Sequence, residues 1–591
     1  MLKRFFISLL GTVAGIWISM FLVIFGGIML VGVAVGKSAG DSAVKVEKKS
    51  ILYFDLSGNI QERYQSQPFL SMIQNFEGKA ATLDDMLRSL SLAADDDKIE
   101  GLYIHCGGSS LGVASREELL EAISRFKESG KWVAAYSDSY TQADYLVATS
   151  ADSLYLNPVG SVDIHGIGGT APFFKGLLDK VGVKMQIIKV GTFKSAVEPY
   201  ILTSMSEPAR LQMQQYCDTI WAFVSGTIAA NRGLSIADVQ ALAPEMIFTR
   251  EASTFVSDSL VDALRYERAV DNRLRELTDI KPGKDLRLVT PSDYLSSQWS
   301  AYSTAKDHIA VYYAIGDIVD SGEGGIVGLT VTSDIISLAD DKNVRGLVLR
   351  VNSPGGSAFA SEQIWEALQY FKSKKKPLYV SMGDYAASGG YYISCGADSI
   401  FADRTTITGS IGVFGMIPDF SGLVTDRLGV NFSTVETNPN GAGISMMEAM
   451  TPSQHAAMQR SVETIYDLFT SRVAAGRGMD VDSVKAIAEG RVWIGSRALQ
   501  LGLVDRLGSL EATVAAMADS LDLDTDAVVR YPLGEEKFWE KILRESGSLD
   551  VAKSATSDEL IDKETMRQLY FIKRLREMSP VQARMEEVYI K

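Results

Sequence analysis

The stretch GDYAASGGYYIS, residues 383–394, places Ser388 between small residues and two glycines, where its hydroxyl could serve as a nucleophile. A serine hydroxyl attacks a carbonyl carbon only when a neighbouring base takes its proton, and histidine is the usual base. The chain has only four histidines, and none of them forms an evident histidine–acid arrangement with this serine. A Ser-His-Asp triad is therefore disfavoured, and the base must be sought elsewhere.

Lysine is the alternative base, and the stretch VGTFKSAVEPY offers Lys194. A neutral lysine amine can take a proton, but at a reference pKa of about 10.4 only about one in a few thousand is neutral at pH 7. Burial in an apolar site lowers a lysine pKa by several units. Phe193, Ala196 and Val197 flank Lys194 and predict such a pocket. The competing interpretation is a solvated surface lysine.

Glycines near Ser388 could supply the hydrogen-bond donors that acyl transfer requires for the developing oxyanion. The stretch RVNSPGG sets Gly355 and Gly356 directly after an apolar run, where free backbone N–H groups can point at a ligand. Gly389, which follows the serine, could supply a second N–H. As isolated motifs, SGG and SPGG occur more often in ordinary turns and loops than in catalytic sites, so the prediction rests on their combination.

The elements that position these residues occur twice along the chain. ADSLYLNPVGSVDIHGIGG (151–169) aligns with ADSIFADRTTITGSIGVFG (397–415), IEGLYIHCGG aligns with VRGLVLRVNSPGG, and AANRGLSIADV aligns with AAGRGMDVDSV. Matching positions lie about 246 residues apart over some 170 residues. This period is too long for a solenoid and indicates a duplicated domain. At the same offset Ser388 falls on Gln142, and Lys194 falls near Asn440, so each copy holds one member of the pair.

Each copy is predicted to be an α/β domain. Short apolar runs such as GLVLRV and PLYVSM are typical of buried strands, and SEQIWEALQYFKSKKK is typical of a helix that begins with Ser-Glu and ends in lysines. A later helix in the first copy aligns Met213, Tyr216, Ile220 and Phe223 on one face, which we interpret as core or intersubunit packing. The predicted divisions are a membrane anchor (1–46), a first copy with the lysine (47–270), a connector (271–310), a second copy with the serine (311–520) and a C-terminal helical tail (521–591).

The N-terminus carries no charge between Arg4 and Lys37. A bilayer is spanned by about 20 apolar residues, and a cleaved signal peptide has a shorter apolar region and a small-residue cleavage site. The length predicts one uncleaved transmembrane helix over about residues 5–35. Lys3 and Arg4 favour a cytoplasmic N-terminus, although the lysines that follow the apolar run weaken this orientation. The remaining chain would then lie across the membrane.

Composition excludes several classes of partner. The net charge is −15, which argues against nucleic-acid binding. The three cysteines are widely separated and odd in number, which excludes a disulfide framework and a CxxC metal site. No metal ion or cofactor is expected.

Four motifs in order, FKSAVEPY, VNSPGG, GDYAASGGYYIS and TGSIGVFG, resemble the signal peptide peptidase A family in its long, duplicated bacterial form. The resemblance covers nearly the whole chain. It implies tandem ClpP/crotonase-like α/β domains and a Ser-Lys dyad, with Ser388 as the nucleophile and Lys194 as the base. It further implies Gly356 in the oxyanion hole, with Gly355 as the less favoured choice. Ser410 would hydrogen-bond the lysine; its alternative is a turn cap.

The same resemblance implies a homotetramer anchored in the bacterial inner membrane, with its catalytic body on the periplasmic side, that digests cleaved signal peptides. A tethered protease would meet such apolar peptides at high effective concentration. Two other interpretations remain at this point. One is a membrane-anchored scaffold of the same fold that has lost catalysis, and the other is a crotonase-like acyl-CoA enzyme. The anchor and an extracytoplasmic body argue against the acyl-CoA enzyme.

Overall fold

The computed structural model describes residues 46–63, 81–298, 307–322, 324–525, 527–531 and 581–585. The transmembrane helix predicted over residues 5–35 lies outside these ranges. Among the helices of the described ranges, none has the length and apolar character needed to cross a membrane.

The strands are short except at the centre of each copy. In chain order they are β1 (Ser50–Gly58), β2 (Ile99–Ser109), β3 (Trp132–Ser137), β4 (Ser153–Leu156), β5 (Lys184–Lys189), β6 (Ala263–Leu264), β7 (Leu288–Val289), β8 (His308–Ile315), β9 (Ile318–Val319), β10 (Ile326–Val327), β11 (Val344–Ser353), β12 (Gly355–Ser357), β13 (Leu378–Ala387), β14 (Ser399–Ala402), β15 (Ile407–Gly409), β16 (Phe414–Asp419), β17 (Val492–Ile494), β18 (Arg506–Leu507), β19 (Val528–Tyr531) and β20 (Val581–Arg584).

The α-helices alternate with these strands. In chain order they are α1 (Leu83–Ala94), α2 (Val113–Glu128), α3 (Gln142–Ala148), α4 (Lys175–Val181), α5 (Glu198–Ile201), α6 (Glu207–Arg232), α7 (Ile236–Leu242), α8 (Ala252–Ser257), α9 (Glu267–Leu277), α10 (Pro291–Ser297), α11 (Gly328–Asp340), α12 (Ala358–Ser373), α13 (Gly389–Ser394), α14 (Pro452–Arg477), α15 (Val481–Ile487), α16 (Gly495–Gln500) and α17 (Leu510–Leu521).

Two pairs of equivalent helices in the two copies have equal lengths. Helices α6 and α14 both contain 26 residues, and α2 and α12 both contain 16 residues. Ser206 and Thr451 cap the N-termini of α6 and α14 through their side-chain oxygens, and a proline follows in the first turn. Both helices end at glycines in the left-handed conformation, Gly233 and Gly478, which a side chain would disfavour. The local sequence therefore sets both ends.

Each copy has its own core and its own sheet, which is parallel in the first copy and parallel except for the antiparallel β15–β17 pair in the second copy. The first sheet has the order β6-β4-β3-β2-β1-β7, and all its strands are parallel. The sheet of the second copy runs β17-β15-β13-β11-β8-β19, with β14 and β18 attached beside β13. The central strands are buried, as expected for parallel strands covered by helices. This layered arrangement agrees with the predicted α/β class.

A third sheet joins the two copies. Its order is β10-β9-β12-β20-β16-β5, and β5 of the first copy pairs antiparallel with β16 of the second copy along six residues, from Lys184↔Asp419 to Lys189↔Phe414. The pairing brings the chain that follows β5 into the second copy, and that chain carries Lys194.

The described parts of the C-terminal segment beyond α17 differ from the helical tail that the sequence suggested. Val528–Tyr531 forms β19, which extends the second-copy sheet beside β8, and Val581–Arg584 forms β20 in the joining sheet. The edge of β8 offers unpaired backbone groups, and the β-branched residues of β19 suit a strand there. Short strands of this kind are fixed by their partners rather than by periodicity within the segment.

Candidate active site

Ser388 stands on a sharp turn between β13 and α13. Its backbone has φ +55° and ψ −113°, a conformation that residues other than glycine adopt only under strain. A Cβ atom on Gly389 would approach the Ser361 hydroxyl to 2.8 Å, and one on Gly390 would approach the Ser353 carbonyl oxygen to 2.7 Å. The glycines of the SGG motif therefore allow the turn to pack closely beneath the serine.

Lys194 meets this serine inside one chain. The distance from Lys194 Nζ to Ser388 Oγ is 2.9 Å, and both side chains are buried. The backbone on either side of Lys194 is held by the second copy, because Val190 N–H donates to the Val413 carbonyl and Phe193 N–H donates to the Glu489 carbonyl. The two residues predicted from opposite copies are thus brought together.

The surroundings of Lys194 disfavour its charged form. Burial lowers the pKa of this lysine well below its ordinary value. Besides Ser388, the Lys194 Nζ lies 3.1 Å from the Ser410 Oγ and 3.3 Å from the Ser410 carbonyl oxygen, and 6.0 Å from the centre of the Phe414 ring. Gly490 and Gly412 pack against the lysine stem, and a Cβ atom on Gly490 would lie 2.7 Å from Lys194 Cβ. The stem is therefore tightly enclosed.

The glycine loop lies on the other side of the serine turn. A Cβ atom on Gly355 would stand 2.7 Å from the Gly389 amide nitrogen, so the two predicted donor regions face each other. The Gly355 N–H donates to the Ser353 hydroxyl at 3.1 Å. Gly356 packs against the backbone of Ile318, where a Cβ atom would overlap the Ile318 carbonyl oxygen. No other residue type fits either position without movement.

A narrow cleft extends from Lys194. Its apolar lining comes from Phe193, Met213 and Tyr216 of the first copy, Ile407 and Val492 of the second copy, and Met585 of the C-terminal segment. The sequence assigned Met213 and Tyr216 to a packing stripe together with Ile220. Ile220 is fully buried, whereas Met213 and Tyr216, nearer the N-terminus of α6, are partly exposed to the cleft. A helical stripe alone does not distinguish a core face from a cleft wall.

The equivalent place in the first copy is filled by its own side chains. Gln142, which occupies the position of the serine, accepts the N–H groups of His165 and Gly166. The Asp144 carboxylate accepts the N–H groups of Gly108 at 2.8 Å and Ser109 at 3.3 Å. The loop that corresponds to the glycine loop of the second copy therefore binds an internal carboxylate.

Comparison with known proteins identifies the family. The sequence model described as Peptidase family S49 matches residues 125–281 and again residues 370–524, which together exceed half of the chain. This chain is a member of peptidase family S49. The double match confirms the duplication predicted from the internal repeat, and a further match of residues 327–407 to Clp protease confirms the ClpP-like class of the S49 domains.

Relatives of this S49 peptidase include full-length proteases. It is 34% identical to Protease 4 of Haemophilus influenzae over 534 residues, covering 86% of this chain and 85% of the relative. It is 28% identical to the chloroplastic serine protease SPPA of Arabidopsis thaliana, covering 80% of this chain and 69% of the relative. It is 34% identical to a candidate signal peptide peptidase, SppA, of Enterococcus faecium, covering 42% and 73%. The S49 chain is therefore a serine protease.

Among solved structures, a ClpP1 mutant from Listeria monocytogenes covers 34% of this S49 chain and 91% of its own length, with 13% identity and a TM-score of 0.23. The assignment of the fold rests on the family matches rather than on this superposition.

Proposed function

We propose that this S49 protease is a membrane-anchored endopeptidase that uses Ser388 as its nucleophile and Lys194 as its general base. The observation that carries the proposal is the 2.9 Å distance from Lys194 Nζ to Ser388 Oγ in a buried setting. A neutral amine at this distance can take the hydroxyl proton. Ser410, within hydrogen-bond distance of the same Nζ, orients the lysine.

The reaction follows the order of an acyl-enzyme mechanism. Lys194 takes the proton from Ser388 Oγ as the oxygen attacks the substrate carbonyl carbon, and the resulting ammonium gives the proton to the departing amine. Water then hydrolyses the acyl-enzyme with the same lysine as base. The desolvated pocket favours this cycle, because it holds the resting lysine neutral while Ser410 stabilises the ammonium when it forms.

We assign the backbone N–H groups of Gly356 and Gly389 as the hydrogen-bond donors that stabilise the oxyanion. The Gly355 N–H already donates to Ser353, which favours Gly356 as the donor from this loop. Gly389 directly follows the nucleophile and faces Gly355 across the turn. Removing one donor of this kind typically lowers the rate about 100- to 1000-fold.

Cleaved signal peptides are the proposed substrates, and the bacterial inner membrane is the proposed location, with the catalytic body on the extracytoplasmic side. The apolar N-terminal run, the apolar cleft beside Lys194 and the resemblance to signal peptide peptidase A support this assignment. A homotetramer is part of the same proposal and rests on the resemblance alone. No metal ion or cofactor takes part in the proposed cycle.

The test uses the full chain in detergent and a fluorogenic peptide that carries the apolar core of a signal peptide. Ser388→Ala is expected to lower kcat/KM by more than about 10⁴-fold, and Lys194→Met, which preserves length without a base, by about 10²–10⁴-fold. Lys180→Met and Ser337→Ala make the same kinds of change at exposed sites and are expected to retain full activity. All variants are compared by circular dichroism and gel filtration.

Near-normal turnover by Lys194→Met would place the base elsewhere and overturn the dyad. A wild-type chain that is inert on every peptide, with intact folding, would instead favour the scaffold function.

A further inference from the structure

Arg491 lies at the rim of the cleft described above. Its neighbours in the chain, Gly490 and Val492, both line the cleft. Its guanidinium carbon is 4.8 Å from the ring centre of Phe193, another lining residue, and 4.2 Å from the ring centre of Trp493. A guanidinium at such distances from two aromatic rings is attracted to both of them. The rings therefore hold a cation beside the entrance to the catalytic residues.

The guanidinium of Arg491 is only partly satisfied by the described chain. Its Nη2 donates to the Gln215 Oε1 at 3.0 Å, whereas its buried Nε has no hydrogen-bond partner among the described residues. The acid nearest in sequence, Glu489, accepts the Thr192 N–H instead. Burial and the nearby Arg497 both lower the pKa of Arg491, and no carboxylate of the described residues opposes them.

Another arginine of the second copy shows the same packing with its anion present. Arg472 lies over the Trp365 ring at 3.8 Å, and it donates to both oxygens of the Glu362 carboxylate, at 2.6 Å and 3.4 Å. Arg491 has the corresponding tryptophan, Trp493, but the described chain supplies no carboxylate to it. Because a guanidinium fork matches the two oxygens of a carboxylate, a carboxylate is the ligand that would complete this arrangement.

The arginine belongs to the copy that carries the serine. Aligning AANRG of the first copy with AAGRG of the second places Met246 opposite Arg491. Met246 is exposed and carries no charge. The first copy therefore lacks the rim cation as well as the nucleophile. This joint occurrence indicates that the missing carboxylate belongs to the peptide that Ser388 attacks.

We propose that Arg491 binds the C-terminal carboxylate of the peptide being cut, so that the enzyme shortens peptides from their carboxyl end. This inference rests on the proposed endopeptidase function and narrows its substrate class. A C-terminal carboxylate always lies on the leaving-group side of the scissile bond. The Arg491 carbonyl accepts the Ser410 N–H at 2.7 Å, which keeps the arginine close to the dyad. An extended peptide advances about 3.3 Å per residue, so a leaving fragment of about two to four residues would span the distance.

Each cut creates the carboxylate for the next one. Ser388 Oγ bonds to the substrate carbonyl carbon, the carbon–nitrogen bond breaks, and the leaving nitrogen receives the proton that Lys194 took from the serine. The short fragment departs with its own carboxylate. Water hydrolyses the ester, which leaves a peptide with a new C-terminal carboxylate and a regenerated serine. A cleaved signal peptide ends in such a group, whereas an uncut precursor continues into the mature chain, so the subsite would favour the cleaved form.

Binding is tested separately from catalysis with the full-length Ser388→Ala chain in detergent. Two dye-labelled peptides carry the apolar core of a signal peptide and differ only in ending as a carboxylic acid or as a carboxamide. By fluorescence anisotropy, the Kd of the acid is expected to be about tenfold lower, because hydrogen bonds between charged groups are among the stronger ones. Equal Kd values for the two peptides would overturn the proposal.

Two further substitutions in the Ser388→Ala background assign the effect to one side chain. Arg491→Met is expected to make the two Kd values equal, and Arg491→Lys, which keeps the charge without the planar fork, is expected to retain part of the difference. The matched control Arg460→Met removes an exposed arginine of α14 and is expected to retain all of it. A difference that persists in Arg491→Met would place the carboxylate elsewhere and overturn the assignment to Arg491.

Cleavage of the same two peptides by the wild-type chain, followed by mass spectrometry, tests where the cuts fall. The acid is expected to lose fragments of about two to four residues from its carboxyl end in successive steps. The amide is expected to react about tenfold more slowly at low peptide concentration. Equal rates with the same cut positions would overturn the C-terminal preference and leave the proposed function intact. Failure to cut either peptide would overturn the proposed function, whereas the subsite is decided by the binding measurement.

A third peptide separates a C-terminal carboxylate from a side-chain carboxylate. It ends as a carboxamide and has glutamate as its last residue. Its Kd is expected to match that of the plain amide. A Kd equal to that of the acid, and raised by Arg491→Met, would assign the subsite to acidic side chains and overturn the C-terminal assignment.

Discussion

At the scale of single residues, the decisive feature is a buried lysine whose hydrogen-bond partners, among the residues that the structure describes, are hydroxyl and carbonyl groups. Most buried charges in proteins are paired, because an unpaired charge in a low-dielectric site is costly. Lys194 contacts hydroxyl and carbonyl oxygens, and burial alone accounts for its lowered pKa. A carboxylate at the same distance would favour the ammonium and remove the base. The composition of the pocket therefore favours the neutral lysine that the proposed mechanism requires.

The lowered pKa of Lys194 predicts how activity depends on pH. Below this pKa the lysine is an ammonium and cannot take the serine proton, so kcat/KM should rise with pH through the pKa of Lys194 and then level off. Between the lowered pKa of folded Lys194 and the ordinary lysine pKa of about 10.4, the unfolded chain keeps a proton on this lysine that the folded chain has lost. The free energy of unfolding should therefore also rise with pH between these two values. A kcat/KM profile that is flat from pH 5 to about 10.4 would contradict this assignment.

Ser410 is expected to hold the lysine through its hydroxyl, which lies 3.1 Å from Lys194 Nζ. Ser410→Ala should lower kcat by about 10- to 100-fold, the usual cost of losing a hydrogen bond to a group that becomes charged. Ser225→Ala removes an equally buried hydroxyl from α6 and serves as the control. The kcat values of Ser410→Ala and Ser225→Ala are compared by steady-state kinetics. Equal values would show that Ser410 does not take part in the mechanism.

At the scale of elements, the two copies differ at one equivalent turn. The turn of the second copy carries Ser388, whereas the turn of the first copy carries Gln142 and is occupied by hydrogen bonds within that copy. In the first copy, the Asp144 carboxylate accepts N–H groups of the loop that corresponds to the glycine loop, and the Gln142 side chain accepts the N–H groups of His165 and Gly166. This internal satisfaction also removes the strain seen at Ser388, since Gln142 begins an ordinary helix capped by Thr141. The first copy has kept the scaffold and contributes its lysine to the other copy.

This contrast predicts that a serine at position 142 is not sufficient to make the first copy catalytically active. Gln142→Ser in a Ser388→Ala background should show no measurable hydrolysis of the fluorogenic peptide, because the Asp144 carboxylate fills the donor loop and Lys194 lies in the other site. The single variant Gln142→Ser should keep nearly wild-type activity. Recovery of activity in the double variant would mean that the first-copy loop can open to bind a carbonyl oxygen.

Local patterns predicted some elements and missed others for physical reasons. Strand β11, the glycine loop and α12 were predicted from an apolar run, a Gly pair and an amphipathic segment, although α12 begins three residues earlier than predicted, at Ala358 after its N-cap Ser357. The contact of Lys194 with Ser388 was predicted by comparing the two copies. Strand β20 was missed because its four residues carry no strong alternation, and its place is set by partners far away in the chain. The Arg584–Asp317 pair was missed for the same reason.

At the scale of the whole molecule, buried charge joins the two copies. Arg350 of β11 forms ion pairs with Glu62 and with Glu118, the latter at 2.7 Å, and it also donates to the Ser381 hydroxyl at 2.9 Å. The arginine is 1% exposed. Both carboxylates come from the first copy, so the arrangement ties the first copy to the central strand that leads into the glycine loop of the second copy.

Removing this arginine should destabilise the protein strongly. Arg350→Ala leaves two buried carboxylates without their cation, and the loss of one partner in a buried ion pair typically costs about 3–5 kcal/mol in the free energy of unfolding. Arg345→Ala removes an exposed arginine of the same strand, and exposed pairs contribute at most about 1 kcal/mol. Urea unfolding of both variants gives the comparison, and equal midpoints would show that the copies are held together by other contacts.

The position of the lysine and serine in opposite copies has a consequence for the synthesis of the protein on the ribosome. Lys194 and Ser388 stand 194 residues apart, so at about 5–20 residues per second the ribosome needs about 10–40 s to add the nucleophile after the base. A nascent chain that stops before Ser388 holds a base with nothing to activate. On the proposed Ser388–Lys194 mechanism, proteolytic capacity therefore arises late in translation, and a chain that terminates before Ser388 lacks it.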